Sequence, residues 1–264
     1  MGKAERLEKM LDLIQNSNFI SPVELAEKMN VSLVTVRRDL KKLADQRSII
    51  KEYNTIKIAR DYDKRFHERL NTNLEQKRMI AELAKRFVQS GDTIFLDTST
   101  TCYEFARTLA LSSHNLHIIT NNIYMAVELM SIYKIDLVLV GGNIRHGYFS
   151  TIGPLAEKML SNIKVTKFFF SCTMLDTRGI YESNVMEGNI KVKMFENSKL
   201  HYLLVDSSKF DKASIFRTTG IENVDSIITD KSLSKEYLDI LKDKNIEIIT
   251  PLKMDELIKQ PNFS

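Results

Sequence analysis

Two kinds of hydrophobic pattern divide this chain. In residues 4–15 the apolar positions recur at i, i+3, i+4 and i+7, which predicts an amphipathic helix. A helical stripe returns at Val36, Leu40 and Leu43. From residue 93 onward the apolar residues instead form short continuous runs separated by helical stretches, a pattern typical of buried parallel strands.

The short apolar runs predict seven strands, and a helix precedes the first of them. That helix ends at Ser90-Gly91, and another is expected from about Tyr103 to Leu109. Strands that alternate with helices predict an α/β domain with a mostly parallel sheet. The predicted strands are 93–96, 117–120, 136–140, 167–171, 201–205, 226–229 and 247–250.

The segment between the first two helical stripes predicts a helix-turn-helix. Ser21 provides an N-cap, Pro22 the first helical position and Glu24 a capping box, so a short helix begins here. The turn 30–32 then leads into the third helix. Two β-prone pieces within 49–58 predict a hairpin, the wing of a winged helix.

The net charge of the chain lies in this first part. Residues 1–60 contain 12 basic and 8 acidic residues, whereas the other 204 contain 26 of each. Basic side chains on the outer face of the third helix suit phosphates and guanine edges in the major groove, although a solvated basic helix is the alternative. The candidate DNA-binding residues are Ser21, Ser32, Val34, Thr35, Arg37, Arg38, Lys41 and Lys42.

Composition excludes several classes of protein. With 43% apolar and 27% charged residues the chain is globular, and it contains no apolar run of membrane-spanning length and no signal peptide. Two cysteines suit a reducing compartment, so we expect a cytoplasmic protein. The five histidines lie at no metal-ligand spacing and no cofactor motif occurs, so neither a metal nor a cofactor is expected.

Polar clusters follow the predicted strands, and ligands of parallel α/β sheets bind at the carboxyl ends of strands. Hydroxyl side chains and free N–H groups at a helix start suit a phosphate. Each feature also has a simpler explanation when taken alone: the hydroxyl residues fit a helix cap, the glycines fit a plain turn, and the lysine fits an ordinary surface position. The candidate ligand-binding residues are Asp97, Thr98, Ser99, Thr100, Thr101, Asn121, Gly142, Arg145 and Lys209. Glu187 and Lys191 are weaker candidates.

Several stretches resemble the DeoR family of bacterial transcriptional regulators. In the first part these are Glu24-Leu25-Ala26 and the run 31–43, above all Thr35-Val36-Arg37-Arg38-Asp39-Leu40. Further along the chain they are 77–81, 91–97, 119–121, 140–142, 153–156 and 204–210. The resemblance implies a winged helix-turn-helix and an effector domain similar in fold to ribose-5-phosphate isomerase. That domain is expected to hold a phosphorylated sugar at residues 97–101, with Asn121, Gly142 and Lys209 nearby.

The resulting prediction is a repressor of a carbohydrate-metabolism operon that binds operator DNA as a homo-oligomer, a dimer or tetramer, and is controlled by a sugar phosphate. The alternative is a phosphosugar isomerase or deaminase with an accessory DNA-binding head; we expect no enzyme. The predicted domains are 1–58 for DNA binding, 59–74 as linker, 75–251 for the effector and 252–264 as tail.

Overall fold

The computed structural model of the chain describes residues 6–7, 9–10, 13–14, 20–45, 49–52, 55–58 and 66–251. The contacts divide the chain into two compact units, residues 1–63 and 64–264. The described residues of the predicted first helix are helical, and the rest of that segment lies outside the described residues. So do the predicted tail and residues 59–65 of the predicted linker.

The small unit contains the predicted helix-turn-helix. Helix α1 (Pro22–Met29) begins with the predicted capping box, in which the Ser21 hydroxyl accepts from the Glu24 N–H and the Glu24 carboxylate accepts from the Ser21 N–H. The turn to α2 (Leu33–Asp45) passes through Asn30, whose φ of 52° closes the first helix in the left-handed region. The core of the unit is Met10, Ile14, Ile20, Leu25, Met29, Val36, Leu40 and Leu43.

The predicted wing is confirmed as an antiparallel hairpin. Strands β1 (Ile49–Glu52) and β2 (Thr55–Ile58) pair with Ile49 opposite Ile58 and Glu52 opposite Thr55. Residues 53–54, in the centre of the predicted hairpin, lie outside the described residues.

The large unit is an α/β structure whose helices and strands follow each other along the chain. Its helices are α3 (Phe66–Leu70), α4 (Leu74–Lys85), α5 (Thr100–Ala110), α6 (Ile123–Leu129), α7 (Pro154–Leu160), α8 (Val185–Asn197) and α9 (Lys235–Asp243). Its strands are β3 (Thr93–Leu96), β4 (Leu116–Thr120), β5 (Ile135–Leu139), β6 (Asn143–Arg145), β7 (Ser150–Ile152), β8 (Val165–Phe170), β9 (Met174–Leu175), β10 (Gly179–Glu182), β11 (Ser198–Leu204), β12 (Phe216–Gly220), β13 (Ser226–Ile228) and β14 (Glu247–Ile249).

All seven predicted strands belong to one parallel sheet. Its order is β14-β13-β11-β8-β3-β4-β5, and every neighbouring pair is parallel. Sequence reasoning missed the hairpin β6-β7 and the antiparallel sheet β12-β10-β9. These strands are two to five residues long and do not form the continuous apolar runs by which the parallel strands were recognised.

Two cores cover the two faces of this sheet because successive side chains of a strand point to opposite faces. Phe169 packs in the cluster that contains α4, α5 and α6. Phe168 and Phe170 pack in the cluster that contains α7, α8 and α9. Among the described residues, no helix has the length and apolar character needed to cross a membrane.

Two predicted boundaries differ from the structure. Residues 66–74 belong to the large unit and not to a linker: Phe66 is fully buried, and its N–H donates to the Gly147 carbonyl at 3.0 Å. The aromatic side chain packs among Tyr103, Tyr124 and Phe149 and so anchors a segment that is otherwise polar. In addition, α5 begins at Thr100 and not near Tyr103, because the Ser99 hydroxyl caps it.

Candidate functional site

The outer face of α2 presents the predicted DNA-binding residues. The Ser32 hydroxyl accepts from the Thr35 N–H at 3.2 Å and so caps the helix. Val36, Leu40 and Leu43 turn inward, and the buried Asp39 carboxylate contacts the Arg6 guanidinium at 2.7 Å. The outward-facing basic side chains are all exposed; they are Arg37, Arg38, Lys41 and Lys42.

The first residues of α2 add short side chains to this basic face. Val34 is 77% exposed, so its side chain is accessible on this face. Ser32 is exposed and Thr35 is half-buried beside it. Ser21, the remaining predicted residue, is engaged in the cap of α1. In helix-turn-helix proteins the N-terminal side chains of the second helix reach base edges in the major groove, so these residues remain candidates for DNA contact.

In the large unit, the predicted ligand-binding residues are placed by the carboxyl ends of neighbouring strands. Strand β3 ends before Asp97, β4 ends before Asn121, and β11 ends before Asp206. Because all these strands are parallel, their carboxyl ends meet at one edge of the sheet, called here the carboxyl edge.

A buried lysine joins two carboxylates at the carboxyl edge. The Lys191 ammonium lies 3.0 Å from the Asp97 carboxylate and also donates to the Glu182 carboxylate and the Ser171 carbonyl. All three charged side chains are buried. Such a group is stable only when every charge has a partner, and here each has one.

The pKa values in this cluster follow from the pairing. Burial alone would raise the pKa of Asp97, but the Lys191 ammonium and the hydrogen bonds from Ser99 hold it below its usual value. Burial would likewise lower the pKa of Lys191, but Asp97 and Glu182 raise it above the usual value. Asp97 and Lys191 therefore remain ionised at neutral pH.

Glu187 connects three segments of the carboxyl edge. Its carboxylate accepts from the Thr98 hydroxyl at 3.2 Å, from the Ser150 hydroxyl at 2.5 Å and from the Arg145 guanidinium at 3.4 Å. The Arg145 guanidinium also lies over the Tyr148 ring, 3.5 Å from its centroid. The loop after β3, the β6-β7 hairpin and α8 are thus held by one buried carboxylate.

Two buried amides beside this network have polar atoms without a hydrogen-bond partner among the described residues. Asn121 donates to the Thr151 carbonyl at 3.0 Å, but its Oδ1 has no donor. The Asn122 Oδ1 caps α6 by accepting from the Met125 N–H, but its Nδ2 has no acceptor. An unpaired buried polar group is costly unless a water or ligand satisfies it. Both atoms are therefore candidates for ligand contact.

Gly142 lies where only glycine fits. Its φ is +155°, and a Cβ there would meet the Ile152 carbonyl oxygen at 2.8 Å and the Ala156 Cβ at 2.9 Å. The glycine therefore allows the end of β5 to approach β7 and α7 closely. Gly142 is one of the predicted ligand-binding residues, and in the structure it has this packing role.

Lys77 is a functional candidate that sequence reasoning did not select. It is buried on α4, its ammonium donates to the Arg69 carbonyl, and no carboxylate of the described residues is in hydrogen-bonding contact with it. Burial lowers its pKa to about 8; Asp206 opposes this shift, while Arg69 and Lys209 reinforce it.

The loop after β11 is shaped by its own hydrogen bonds. The Asp206 carboxylate accepts from the Ser208 N–H at 3.1 Å and from the Asn73 amide at 3.0 Å. Ser207 is fixed in turn by Asp230, which accepts from its N–H at 2.6 Å. Lys209, half-buried at the end of this turn, has no hydrogen bond or ion pair from its ammonium among the described residues.

The structure therefore places the predicted residues in different roles. Ser99 caps α5 through the Cys102 N–H, and Thr100 and Thr101 form its buried first turn, where N–H groups lack intrahelical acceptors. Glu182 and Lys77 were missed because neither follows a predicted parallel strand, although Lys77 opens one of the stretches that resemble the DeoR family. In the part of the chain that the structure describes, no cluster of three or more metal-ligating side chains occurs.

Comparison with known proteins agrees with both units. A model of the DeoR-like helix-turn-helix domain matches residues 6–61, and a model of the DeoR C terminal sensor domain matches residues 72–231. YulB, an uncharacterized HTH-type transcriptional regulator of Bacillus subtilis, is 32% identical over 93% of this chain and 95% of its own length.

Two further relatives carry functional names. The L-fucose operon activator of Haemophilus influenzae is 31% identical over 86% of this chain and 92% of its own. The glycerol-3-phosphate regulon repressor of Escherichia coli is 29% identical over 94% of this chain and 99% of its own length. Among solved structures, ribose 5 phosphate isomerase A from Neisseria gonorrhoeae is similar over 53% of this chain and 54% of its own, with a TM-score of 0.39 and 19% identity. On the two family models and the sequence relatives, this chain belongs to the DeoR family of transcriptional regulators.

Proposed function

We propose that the protein represses a carbohydrate-metabolism operon and that a phosphorylated sugar, bound at the carboxyl edge of the large unit, controls its affinity for operator DNA. The proposal rests on the buried first turn of α5 and two unsatisfied amides, which follow the adjacent parallel strands β3 and β4, together with two lysines, Lys77 on α4 and Lys209 after β11. Relatives named for glycerol-3-phosphate and fucose regulons support the carbohydrate class.

The phosphate would lie between the first turn of α5 and the two lysines. The N–H groups of Thr100 and Thr101 point out of the helix N-terminus, where the helix dipole favours an anion. The Lys77 ammonium is buried without an ion pair to any residue that the structure describes, so a phosphate would supply a negative charge.

The sugar hydroxyls would satisfy the unpaired amides. A hydroxyl both donates and accepts, so one group could donate to Asn121 Oδ1 while another accepts from Asn122 Nδ2. Sites built to hydrogen-bond a hydroxyl strongly reject analogues that lack it, because the protein group is then left unpaired. These two amides would therefore distinguish one sugar phosphate from another.

We propose binding without turnover. Proton transfer in an isomerase or deaminase needs an available base, but Asp97 and Glu182 are both held by Lys191, and the pKa of Asp97 is lowered. The Cys172 thiol is buried, which raises its pKa and keeps it from acting as a nucleophile.

The β6-β7 hairpin would carry the effector signal toward the small unit. Thr98 at the ligand site contacts Glu187, Glu187 contacts Arg145 on the hairpin, and the hairpin accepts the Phe66 N–H through the Gly147 carbonyl. Phe66 lies three residues beyond the boundary between the units. A ligand that displaced Thr98 from Glu187 would thus alter the start of the large unit.

Operator binding would use α2 in the major groove, with two small units of a homo-oligomer reading two half-sites. This pairing would explain how four exposed basic residues on one short helix reach useful affinity. Such a regulator would work in the cytoplasm, where operator DNA and sugar phosphates meet.

A thermal-shift screen against sugar phosphates tests the ligand class. A ligand that binds only the folded state raises the unfolding temperature in proportion to ln(1 + [L]/Kd). We expect stabilisation by one sugar phosphate and none by the same sugar without phosphate. Equal stabilisation by both, or conversion of ribose 5-phosphate or a related ester at an enzymatic rate, would contradict the proposal.

A further inference from the structure

Strand β5 leaves one edge of the large sheet open. It is the last strand in the sheet order and pairs only with β4 among the described residues. Residues 137–144, which form most of this strand and continue past it, contain no charged side chain. Soluble proteins normally protect such an edge with lysine, proline or a bulge, because its free N–H and C=O groups pair readily with another strand.

Helix α6 extends an apolar surface over this open edge. One flank of α6 faces α5, since the Tyr124 ring lies 5.3 Å from the Tyr103 ring and the Glu128 carboxylate lies 3.2 Å from Arg107. Val127 and Met130, three residues apart, lie on the opposite flank. Because β5 is the terminal strand, that flank borders the sheet edge.

The exposed apolar side chains at this place form what we call the β5-edge patch, which consists of Val127, Met130, Tyr133, Val138 and Leu139. Tyr133 is 107% exposed and Met130 is 74% exposed, so both are fully available to a partner. Five side chains of this size present on the order of 500 Å² of apolar surface, most of the roughly 800 Å² per partner in a standard interface.

We propose that a second copy of this chain covers the β5-edge patch, with the two β5 strands antiparallel across a two-fold axis. Such an isologous contact pairs the free edge with itself and joins two sheets into one. In an antiparallel pairing centred on Leu137, Asp136 lies opposite Val138 of the second copy, so the two Asp136 carboxylates do not face each other. Its charge is moreover already in contact with the His117 ring at 2.9 Å.

A second copy fits this patch better than a chain of different composition. The strand has no charged residue beyond Asp136 to select a complementary partner, and an apolar, uncharged interface core is typical of permanent homodimers. The dimer contact stands apart from the proposed effector, because none of its residues lies in the ligand site. It would also provide the two recognition helices that a two-fold operator needs.

The test is the mass of the full chain in solution. The double variant Met130→Asp with Tyr133→Ser should halve the mass measured by sedimentation equilibrium at tens of micromolar. Ile215→Ser, which removes an equally exposed apolar side chain outside the patch, should leave the mass unchanged. A monomeric wild type, or a double variant of wild-type mass, would overturn the proposal and leave the edge to another partner.

Hydrogen exchange of the wild type gives a second measurement that needs no variant. Amides of residues 135–140 that point away from β4 should exchange faster on dilution, because dissociation uncovers them. Exchange that does not change with concentration, over a range in which the mass changes, would place the dimer contact elsewhere. Failure of the ligand screen would leave both measurements unaffected.

Discussion

The two units present their charges in opposite ways. On α2 the basic residues come from one helix and all are exposed, while a buried carboxylate, Asp39, is paired with Arg6. At the carboxyl edge of the large unit the charges come from distant segments and are buried, as in the contact of Asp97 with Lys191 across 94 positions of sequence.

Because of this difference, substitutions of charged residues in the two units should have different effects. Exposed charges are screened by water and salt, so their removal affects a partner more than the fold. Buried charges stabilise one another, so removal of one leaves its partner uncompensated. Substitutions of the exposed basic residues on α2 should therefore change DNA binding alone, whereas substitutions of the buried charges in the large unit should change stability, ligand binding or the coupling between sites.

The largest effect is expected at Lys191. Lys191→Met leaves two buried carboxylates without their cation and should lower the free energy of unfolding of the large unit by about 3–5 kcal/mol, measured by urea denaturation. Lys193→Met on the same helix removes an exposed partner of Glu196 and should cost less than about 1 kcal/mol. Equal losses in the two variants would refute the importance of the buried cluster.

The pH dependence of this loss has a definite sign. In the wild type the lowered pKa of Asp97 stabilises the folded state above the ordinary carboxyl pKa, and this contribution is lost as the pH falls through the folded value. In Lys191→Met the carboxylates lack their cation, so protonation should relieve them. The deficit of the variant should therefore shrink as the pH is lowered from 7 toward 4.

The next effect concerns the recognition helix. Arg38→Ala should weaken operator binding by about 1–3 kcal/mol and leave the thermal shift by sugar phosphate unchanged. Lys28→Ala, which removes an exposed basic residue from the last turn of α1, is the matched control and should change affinity less. Fluorescence anisotropy at several salt concentrations measures both. Wild-type affinity in Arg38→Ala would rule out α2 as the helix that contacts the operator bases.

Lys77 gives a smaller effect with a distinctive pH profile. Since its pKa is lowered to about 8 in the folded state, the large unit should gain stability as the pH rises from 8 toward the ordinary lysine value of 10.5. A bound phosphate favours the protonated form, so affinity for the sugar phosphate should fall as the pH rises through 8.

Lys77→Met should remove this pH dependence and weaken ligand binding, as measured by calorimetry. Lys85→Met, at the other end of the same helix, is the control and should keep the wild-type profile. An unchanged affinity and pH profile in Lys77→Met would exclude this lysine from the ligand site.

The smallest effect is expected for coupling. Arg145→Lys retains the positive charge but loses the planar group that lies over Tyr148 and reaches Glu187. The ligand should still bind, but its effect on operator affinity should change by about 0.5–2 kcal/mol. Thr151→Ser, a conservative change on the same hairpin, should leave the coupling intact. Full wild-type coupling in Arg145→Lys would exclude the proposed route.

Much of the fold could be predicted from local sequence patterns. The capping box at Ser21, the stripe Val36-Leu40-Leu43 and the seven apolar runs each depend on neighbouring residues, and each predicted element formed. The linker was misplaced because the burial of Phe66 depends on Tyr103, Tyr124 and Phe149, which are far away in sequence.

Only part of the candidate site could be predicted from local sequence patterns. Hydroxyls after a strand and a lysine after another strand are visible in the sequence, but the pairing of Lys191 with Asp97 and Glu182 is not. Lys77 looked like one more helix lysine, because nothing adjacent in the chain reveals that it is buried.

The sequence by itself determined the two kinds of unit, the helix that bears the exposed charge and the strand ends where we propose the ligand site. These features follow from periodicity and capping, which act over a few residues. Only the tertiary structure decided which charges are buried together, which amides lack partners and which sheet edge stays open. Those properties depend on desolvation and on contacts between segments that the chain separates widely.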